Sequence, residues 1–502
     1  MRSYKDQAYK IAAIVLVLTM NTVRSNAQEM LGMVTGDYAG IHASMINPAG
    51  LYHSRYYLDI NLVSAGLFLE NNFLYQSAGD YSFMNFFKSG YSFPMHTSEY
   101  AIGERPFYTF DSPGDKFTHT QVRISGPSAL VVSGKHAFAL QTSMRSMMVI
   151  RDLPYDMANF FYYGLEYTPQ YNIQYEHPED YHMATMVWSE IGLSWAMLLR
   201  KRYANAVTAG ITAKLILGHA GTYFNGYQTD YYVPNGHDID IADLDAEMGY
   251  ALPLDYSSND FFYGDPVKGR GFAVDLGFTY TKTKKISTLR PVRKICESDY
   301  EDYIYRIGFS VLDLGWVKFS SNALTYKYDH SSAYWENADS IIKTYKTIND
   351  FSRDLSRRFC GSPTCAQSGR EFTMMMPFAL SLQYDYHLYR NYYLNATAVH
   401  PVRLHANYLY RPSVFALIPR FESTMIGISL PLSLYDWREP RLGAAIRIYN
   451  FTVGTEKLSG LLGFNHFSGM DLYFSIRISF LKGHCPGSRK NYFCPERPFR
   501  SK

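Results

Sequence analysis

The chain has 502 residues and a formal net charge of +3, with 16% aromatic and only 19% charged residues. The near-neutral charge gives no argument for binding nucleic acid, and a mean hydropathy of −0.21 excludes a bundle of apolar membrane helices. A chain rich in Tyr and Phe, poor in charge and not hydrophobic overall is typical of a transmembrane β-barrel, in which strand residues face lipid and a polar lumen alternately.

Residues 1–27 are predicted to be a secretory signal peptide. Arg2, Lys5 and Lys10 form a basic start, and the apolar run from Ile11 to Met20 is too short to span a bilayer. Small residues precede a predicted cleavage site after Ala27. The mature protein is therefore expected in the cell envelope, as a protein of the outer membrane.

Residues 28–54 are predicted to form a short N-terminal plug and the start of the barrel. The segment is rich in Gly and turn residues, which break helices and set tight corners. An alternating strand follows at once, with Leu58, Ile60 and Leu62 on one face. The residues predicted to form the corner of the plug, or its gate, are Asn47, Pro48, Ala49 and Gly50.

Residues 55–480 are predicted to form a single antiparallel β-barrel with long loops, an all-β fold. Apolar and small or polar residues alternate over stretches long enough to cross a membrane at a tilt. A helix is expected from Ser340 to Ser356 within one loop. The strands, about fourteen in number, are expected at 55–70, 119–133, 135–151, 183–201, 205–221, 238–250, 268–284, 303–320, 371–387, 391–403, 411–421, 423–436, 440–454 and 469–480.

Charged residues fall on the polar faces of these strands and are expected to face the lumen, because a charge facing lipid at mid-depth costs about 2–4 kcal/mol for Arg or Lys. They would line a water-filled path or form salt bridges that hold the plug, and the second alternative is favoured. The predicted lumen-facing residues are Glu190, Lys214, Asp275, Arg306, Arg447 and Arg477.

The five cysteines suggest two local disulfides after export. Cys360 would pair with Cys365, and Cys485 with Cys494, which leaves Cys296 over. Residues 481–502 form a basic tail, expected in the periplasm, which is either a solvated end or a segment that docks a partner.

No metal site or cofactor is predicted. The acidic stretch with Asp238 and Asp240 could offer oxygen ligands to Ca²⁺, but it lacks the spacing of a known calcium loop, so a solvated or lumen-facing acidic strand is favoured. The common hydrolase, metalloprotease and nucleotide-binding motifs do not occur in the chain, and no enzymatic activity is predicted.

Several motifs resemble those of known outer-membrane proteins. The lead from Gly36 to Gly40, the Asn-Pro-Ala-Gly corner and the strand after it are similar to the start of FadL-type fatty acid channels and of PorV-type barrels of a Bacteroidota secretion system. The stretches 271–277, 308–315 and 454–460 resemble a Bacteroidota outer-membrane family of unknown function. The resemblance implies the barrel fold, the outer membrane and an N-terminal plug.

Two functions are compatible with the sequence. The first is a plugged channel or carrier for a small solute, and the analogy with the fatty acid channels would allow a hydrophobic one. The second is a PorV-like scaffold barrel that does not transport, and whose loops or C-terminal tail bind a protein partner. Either barrel would contact outer-membrane lipid and the barrel-assembly machinery.

Overall fold

A computed structural model of the chain describes residues 29–483, except 78–91, 93, 101–103, 262–263, 285–293, 298–299, 340–344, 406, 438 and 460–465. The predicted signal peptide and most of the basic tail, with Cys485 and Cys494, lie outside the described residues. None of the helices within those ranges is long and apolar enough to cross a membrane.

The described part of the chain is mostly β-strand. The strands are β1 (Tyr56–Asn71), β2 (Leu74–Tyr75), β3 (His96–Thr97), β4 (Glu104–Arg105), β5 (Tyr108–Thr109), β6 (Lys116–Ser125), β7 (Ser128–Ser133), β8 (His136–Leu153), β9 (Gln174–His177), β10 (Tyr181–Arg202), β11 (Asn205–Tyr232), β12 (Ile239–Ala251), β13 (Gly269–Thr283), β14 (Tyr303–Phe319), β15 (Ala323–Trp335), β16 (Gln367–Gly369), β17 (Phe372–Met375), β18 (Ala379–Tyr389), β19 (Tyr392–Pro401), β20 (Val414–Glu422), β21 (Ile426–Ser429), β22 (Leu432–Tyr435), β23 (Glu439–Leu442), β24 (Ala444–Ile448), β25 (Phe451–Thr455) and β26 (Gly469–Leu481).

The helices are short and do not form part of the barrel wall. The α-helices are α1 (Leu31–Val34), α2 (Tyr155–Tyr163) and α3 (Ile348–Cys360), and 3₁₀ turns span Gly40–Met45, Pro48–His53, Gly164–Glu166, Thr168–Gln170 and Ile295–Glu297. Helix α3 begins with a capping box, in which the Thr347 side chain accepts from the Asp350 backbone N–H and the Asp350 carboxylate accepts from that of Thr347. Helix α3 overlaps the second half of the helix predicted from Ser340 to Ser356 and continues beyond it to Cys360.

The wall is a closed antiparallel barrel of 14 strands. Strand β1 pairs with β26 on one side and with β6 and β7 on the other, which closes the ring. Two consecutive short strands share one place in the wall in four cases, namely β6 with β7, β17 with β18, β21 with β22 and β23 with β24. The order around the wall is β1, β6/β7, β8, β10, β11, β13, β14, β17/β18, β19, β20, β21/β22, β23/β24, β25 and β26.

The predicted strand count is right, but two of the predicted strands were placed wrongly. Residues 238–250 form β12, which pairs with the far half of the 28-residue β11 and lies beyond the ring. Residues 440–454 contain parts of two wall strands, because the chain reverses at Tyr449, whose φ is +49°. The turn of Tyr449 and Asn450 contains neither Gly nor Pro, and a lone Asn is a weak sequence signal for such a reversal.

The two ends of the barrel differ. At the end that we call the turn end, the strands are joined mostly by short turns, as at Gly134 and Arg390, and the N-terminal segment enters there beside the end of β26. The other end, the loop end, carries the longer connections. There β9, the far half of β11, β12, β15 and β16 extend the sheet beyond the barrel, so the connections predicted at 222–237 and 321–370 contain strands.

The outer surface of the barrel is an apolar belt, as lipid contact requires. On β10, for example, Ile191, Leu193 and Trp195 are exposed while Ser194 and Ala196 between and beside them are buried. Other exposed apolar side chains of the wall include Phe138, Leu215, Phe272, Phe278, Phe309, Phe415, Ile428, Ile446 and Ile476.

Candidate functional site

Residues 29–55, here the N-terminal segment, lie inside the barrel. Their apolar side chains pack against inward-facing wall residues, such as Ile41 and Leu51 against Leu130 and Val132. The segment turns at Asn47, whose Oδ1 accepts a hydrogen bond from Ala49 N at 3.0 Å and so starts the 3₁₀ turn at Pro48. The corner predicted from Asn-Pro-Ala-Gly is thus built by Asn capping and Pro.

Glycines in the wall make room for this corner. A Cβ atom at Gly210 would lie 2.5 Å from Ala49 N, and one at Gly277 would lie 2.2 Å from Asn47 Oδ1. These two glycines are direct partners in the pairing of β11 with β13. No side chain fits between the wall and the corner at these two positions. We call Gly210 and Gly277 the glycine seat.

Asn47 also binds the wall directly. Its Nδ2 donates to Gln383 Oε1 at 2.9 Å and to the Phe278 carbonyl at 3.3 Å. The corner is therefore held by shape and by hydrogen bonds with fixed directions, which is how a segment keeps one position in a polar lumen.

A network of buried charges crosses the middle of the lumen around Asp313. Its carboxylate lies 3.1 Å from Arg145 Nη1 and 2.6 Å from Lys214 Nζ. Lys214 also binds Asp275 at 2.7 Å, and Arg145 lies 3.5 Å from Glu190. Opposite charges alternate in this network, which offsets the cost of removing them from water.

Backbone geometry places Asp313 at the centre of the network. The pairing of β13 with β14 is interrupted between Val274 and Leu276, and Asp313 has a φ of +53°. Asp313 N donates to Asp275 Oδ1 at 2.7 Å. The bulge turns both carboxylates into the lumen, which is a common use of a bulge beside a functional site.

A second charged group holds the segment nearer the turn end. Asp37, on the segment, accepts from Arg306 Nη1 at 3.2 Å and from the Tyr300 hydroxyl at 2.6 Å. The backbone N–H of Asp37 donates to Glu422 Oε2 at 3.2 Å. Asp37 thus bonds to β14 and the loop before it through its carboxylate, and to β20 through its backbone N–H.

A third group joins the segment to the strands that close the barrel. Arg477 lies 3.3 Å from Asp59, and both side chains are buried. Arg477 donates to the Ala39 and Tyr38 carbonyls at 2.9 and 3.1 Å, and Asp59 Oδ2 accepts from Ile41 N at 2.8 Å. One ion pair of the wall therefore binds three backbone groups of the segment.

Two small cavities lie beside the segment in the described part of the chain. One of about 40 Å³ lies between the first 3₁₀ turn and Lys214, and another of about 60 Å³ lies between Asn47 and Asp385. Since about 10–15 Å³ of space for its centre is enough to hold one water, each cavity has room for a few waters.

Toward the loop end the lumen lining becomes apolar. Inward-facing residues of β8, β10, β11, β14 and β17 pack together there, and they include Met147, Met186, Trp188, Ile216, Phe319 and Met374. The lumen thus has an apolar layer near the loop end and a charged layer around the segment.

The six predicted lumen residues all lie on the inner side of the wall. Arg306 and Arg477 bind the segment directly, and the Arg447 guanidinium lies 4.3 Å from the centre of the Tyr38 ring. Glu190, Lys214 and Asp275 bind partners on the wall instead.

Sequence reasoning missed their partners Arg145, Asp37 and Asp59. Each partner is far away in the chain, and its position depends on the closure of the barrel, so alternation along one strand could not reveal it.

The loop end carries features that the sequence only suggested. Cys360 and Cys365 form a disulfide after α3. At the turn end, between β13 and β14, Cys296 is also disulfide-bonded, so the expectation that it is left over was wrong. In α3, burial would raise the pKa of Asp354, but hydrogen bonds from Tyr345 and Arg358 outweigh it and hold that pKa below its usual value.

In the described ranges, no group of three or more His, Cys, Asp and Glu side chains is placed to bind a metal ion. This includes the stretch with Asp238 and Asp240. Asp238 instead accepts hydrogen bonds from Asn235 and from the Asn337 backbone in the loops.

The closed ring, the apolar belt and the polar, charged interior define a transmembrane β-barrel of the outer-membrane type. The chain belongs to a family of unknown function (DUF5723), whose sequence model matches residues 48–456. No curated protein sequence matches the chain.

Solved structures similar to this chain include other barrels. The toluene transporter TbuX of Ralstonia pickettii is 10% identical with a TM-score of 0.39, over 91% of this chain and 99% of that one. The P. putida toluene transporter TodX is 9% identical with a TM-score of 0.38, over 88% and 95%. A Pseudomonas aeruginosa FadL homologue is 10% identical with a TM-score of 0.23, over 92% and 99%. Such low values say nothing about what this chain binds.

Proposed function

We propose that this protein is a gated channel of the outer membrane, in which the N-terminal segment is the gate. The observation that carries the proposal is the way the segment fills the lumen. The segment packs against wall glycines and is held by buried ion pairs and backbone hydrogen bonds, and the two cavities described beside it are small.

The contacts suit a part that moves. Asp37 and the carbonyls of Tyr38 and Ala39 are polar groups that water can solvate once they leave the wall. A segment fixed only by apolar packing would expose that surface on release, at about 25 cal/mol per Å². Water that enters the lumen on opening can also solvate the wall partners Arg306 and Arg477, so these contacts can be exchanged for water contacts.

The two layers of the lumen bear on the solute. A molecule that enters from the loop end meets the apolar layer first and the charged layer next. This order favours a small solute with an apolar part. Because outer-membrane barrels keep their short turns in the periplasm, we place the segment's entry and the C-terminal tail on the periplasmic side.

The test is conductance of the refolded barrel in planar bilayers, with and without residues 28–50. The full chain should conduct rarely, and the shortened chain should conduct steadily, because the wall strands do not include the deleted residues. The control is the full-length chain with Glu371→Gln, which breaks a surface pair with Lys318. This variant should behave as the parent. A shortened barrel that is folded and as silent as the parent would refute the gate.

A second function has one observation in its favour. The sheet extension at the loop end, braced by α3 and its disulfide, presents a large ordered surface beyond the membrane. A PorV-like scaffold barrel would use such a surface to bind a protein. Crosslinking in intact cells from Tyr334, an exposed residue of β15, should then capture a partner, whereas the channel proposal requires none.

A further inference from the structure

A second obstruction lies inside the barrel at the loop end. Residues 407–413, here the inner loop, belong to the connection between β19 and β20 and fold back against β17. Met375 N donates to the Asn407 carbonyl at 2.9 Å, and Leu409 N donates to the Met375 carbonyl at 3.1 Å. Leu409 and Tyr410 join the apolar layer and are each 2% exposed.

The inner loop reaches across the lumen to strands that are not its neighbours in the wall. Asn225 Nδ2, on β11, donates to Asn407 Oδ1 at 2.7 Å. His182, on β10, stacks on the Tyr408 ring at 4.7 Å, and its Nε2 lies 2.9 Å from the Tyr408 carbonyl. The loop thus spans the lumen as the N-terminal segment does, but at the opposite end.

The two obstructions meet at one buried ion pair. Arg411, on the inner loop, donates from Nε and Nη2 to the two Glu29 carboxylate oxygens at 2.6 and 2.5 Å. Its Nη1 lies 3.5 Å from Asp313 of the central network. Arg411 is 5% exposed and Glu29 is 4% exposed, and Glu29 is the first described residue of the segment. A two-point bond of this kind fixes both partners in position.

We propose that Arg411 couples two gates, so that the inner loop and the N-terminal segment open together. If the segment leaves, Arg411 loses its two-point bond to Glu29 and stays buried beside the central network. A buried charge that has lost part of its pairing is strongly unfavourable. Arg411 therefore moves outward with the inner loop until water solvates it. If the inner loop leaves first, Glu29 loses Arg411 and the segment is driven out for the same reason. This inference rests on the gated channel proposed above and adds a second, linked gate to it.

The experiment measures exposure of each gate when the other is perturbed. Leu409→Cys in the folded, detergent-solubilised barrel reports on the inner loop through its labelling rate with a charged maleimide, with the parent chain as background. Adding Glu29→Gln should raise that rate about tenfold or more, since about 1.4 kcal/mol is a factor of ten. Reciprocally, Arg411→Gln should raise the labelling of Ala49→Cys, a fully buried site on the segment.

The matched control is Glu70→Gln. Glu70 is a buried carboxylate that pairs with Arg441 at 2.9 Å and Lys457 at 2.8 Å, and neither partner belongs to a gate. It should leave the labelling of Leu409→Cys unchanged. If Glu29→Gln does not fold, Arg411→Lys keeps the charge but loses the two-point bond, and it should raise both labelling rates by a smaller factor.

Two results would overturn the coupling. One is a Leu409→Cys rate that neither Glu29→Gln nor Arg411→Lys changes. The other is an equal increase in Glu70→Gln, which would show general loosening of the barrel. Labelling does not require current, so a barrel that shows coupled labelling but never conducts would refute the channel and leave the coupling in place.

Discussion

Replacing the two glycines of the seat with alanine should loosen the N-terminal segment without touching a charge. Gly210→Ala and Gly277→Ala each add one methyl group where a Cβ would lie 2.5 Å from Ala49 N and 2.2 Å from Asn47 Oδ1. Ordinary contacts of a Cβ begin near 3.4 Å. At Gly210 the obstructing atoms belong to the backbone of the segment, so the corner itself must shift.

The size of the effect follows from overpacking. A methyl group forced into a filled site costs about 1–3 kcal/mol. If that cost falls on the docked state alone, the undocked fraction of the segment rises about 5- to 150-fold for each alanine. The two sites face each other across one strand pair, so their effects should not simply add.

The assay is maleimide labelling of Ile41→Cys, a site on the segment that is 3% exposed. Gly192→Ala is the matched control, because it also lies on the inner side of the wall but its Cβ would have its nearest neighbour, Thr212, at 3.5 Å. Labelling should rise in Gly277→Ala and stay at the parent level in Gly192→Ala. Equal rates in the two variants would refute the glycine seat.

Three further predictions concern stability. Arg477→Gln leaves Asp59 buried without its cation and should lower the free energy of unfolding by about 3–5 kcal/mol in urea titrations in micelles; a loss below about 1 kcal/mol would mean that the pair is solvated. Leu193→Arg places a charge on the lipid face and should cost about 2–4 kcal/mol of folding free energy in liposomes; no cost would place that face away from lipid. Thr347→Ala removes the cap of α3 and should cost about 1 kcal/mol locally, seen as faster amide exchange in α3 alone; slowed or unchanged exchange would contradict the capping box.

The fold was predictable because it depends on local alternation. The apolar face of β13, with Phe272 and Phe278, follows directly from period-2 spacing, and the structure exposes both residues to lipid. The same signal could not decide where β12 lies, since a strand beyond the barrel alternates as a wall strand does. The length of β11 does not appear in the pattern either, because the chain crosses from the barrel into the extension without a break.

The candidate site was predictable only in part. Alternation gave the inward direction of Lys214 and Arg477, because their neighbours on each strand are apolar. It could not give Asp59 as the partner of Arg477 or Glu29 as the partner of Arg411, because those contacts require the ring to close and the segment to thread into it. The positive φ of Asp313 had a partial signal in the Asp-Leu-Gly sequence, which marks an irregular strand.

The most direct test of the gate is a reversible tether between the segment and the wall. A Cβ at Gly32 would lie 3.7 Å from the Ser429 Cβ, close to the separation in a disulfide. A Cβ at Gly32 would also lie 2.5 Å from Ala445 Cβ and from the Tyr473 hydroxyl, so the tether is built with Ala445→Gly and Tyr473→Phe. In that background, Gly32→Cys with Ser429→Cys should abolish the rare openings when oxidised and restore them on reduction. Gly192→Cys with Gln141→Cys, whose Cβ separation would be 3.8 Å within the wall, should conduct equally in both states. Equal current through the oxidised and reduced tether would contradict a gate formed by the N-terminal segment.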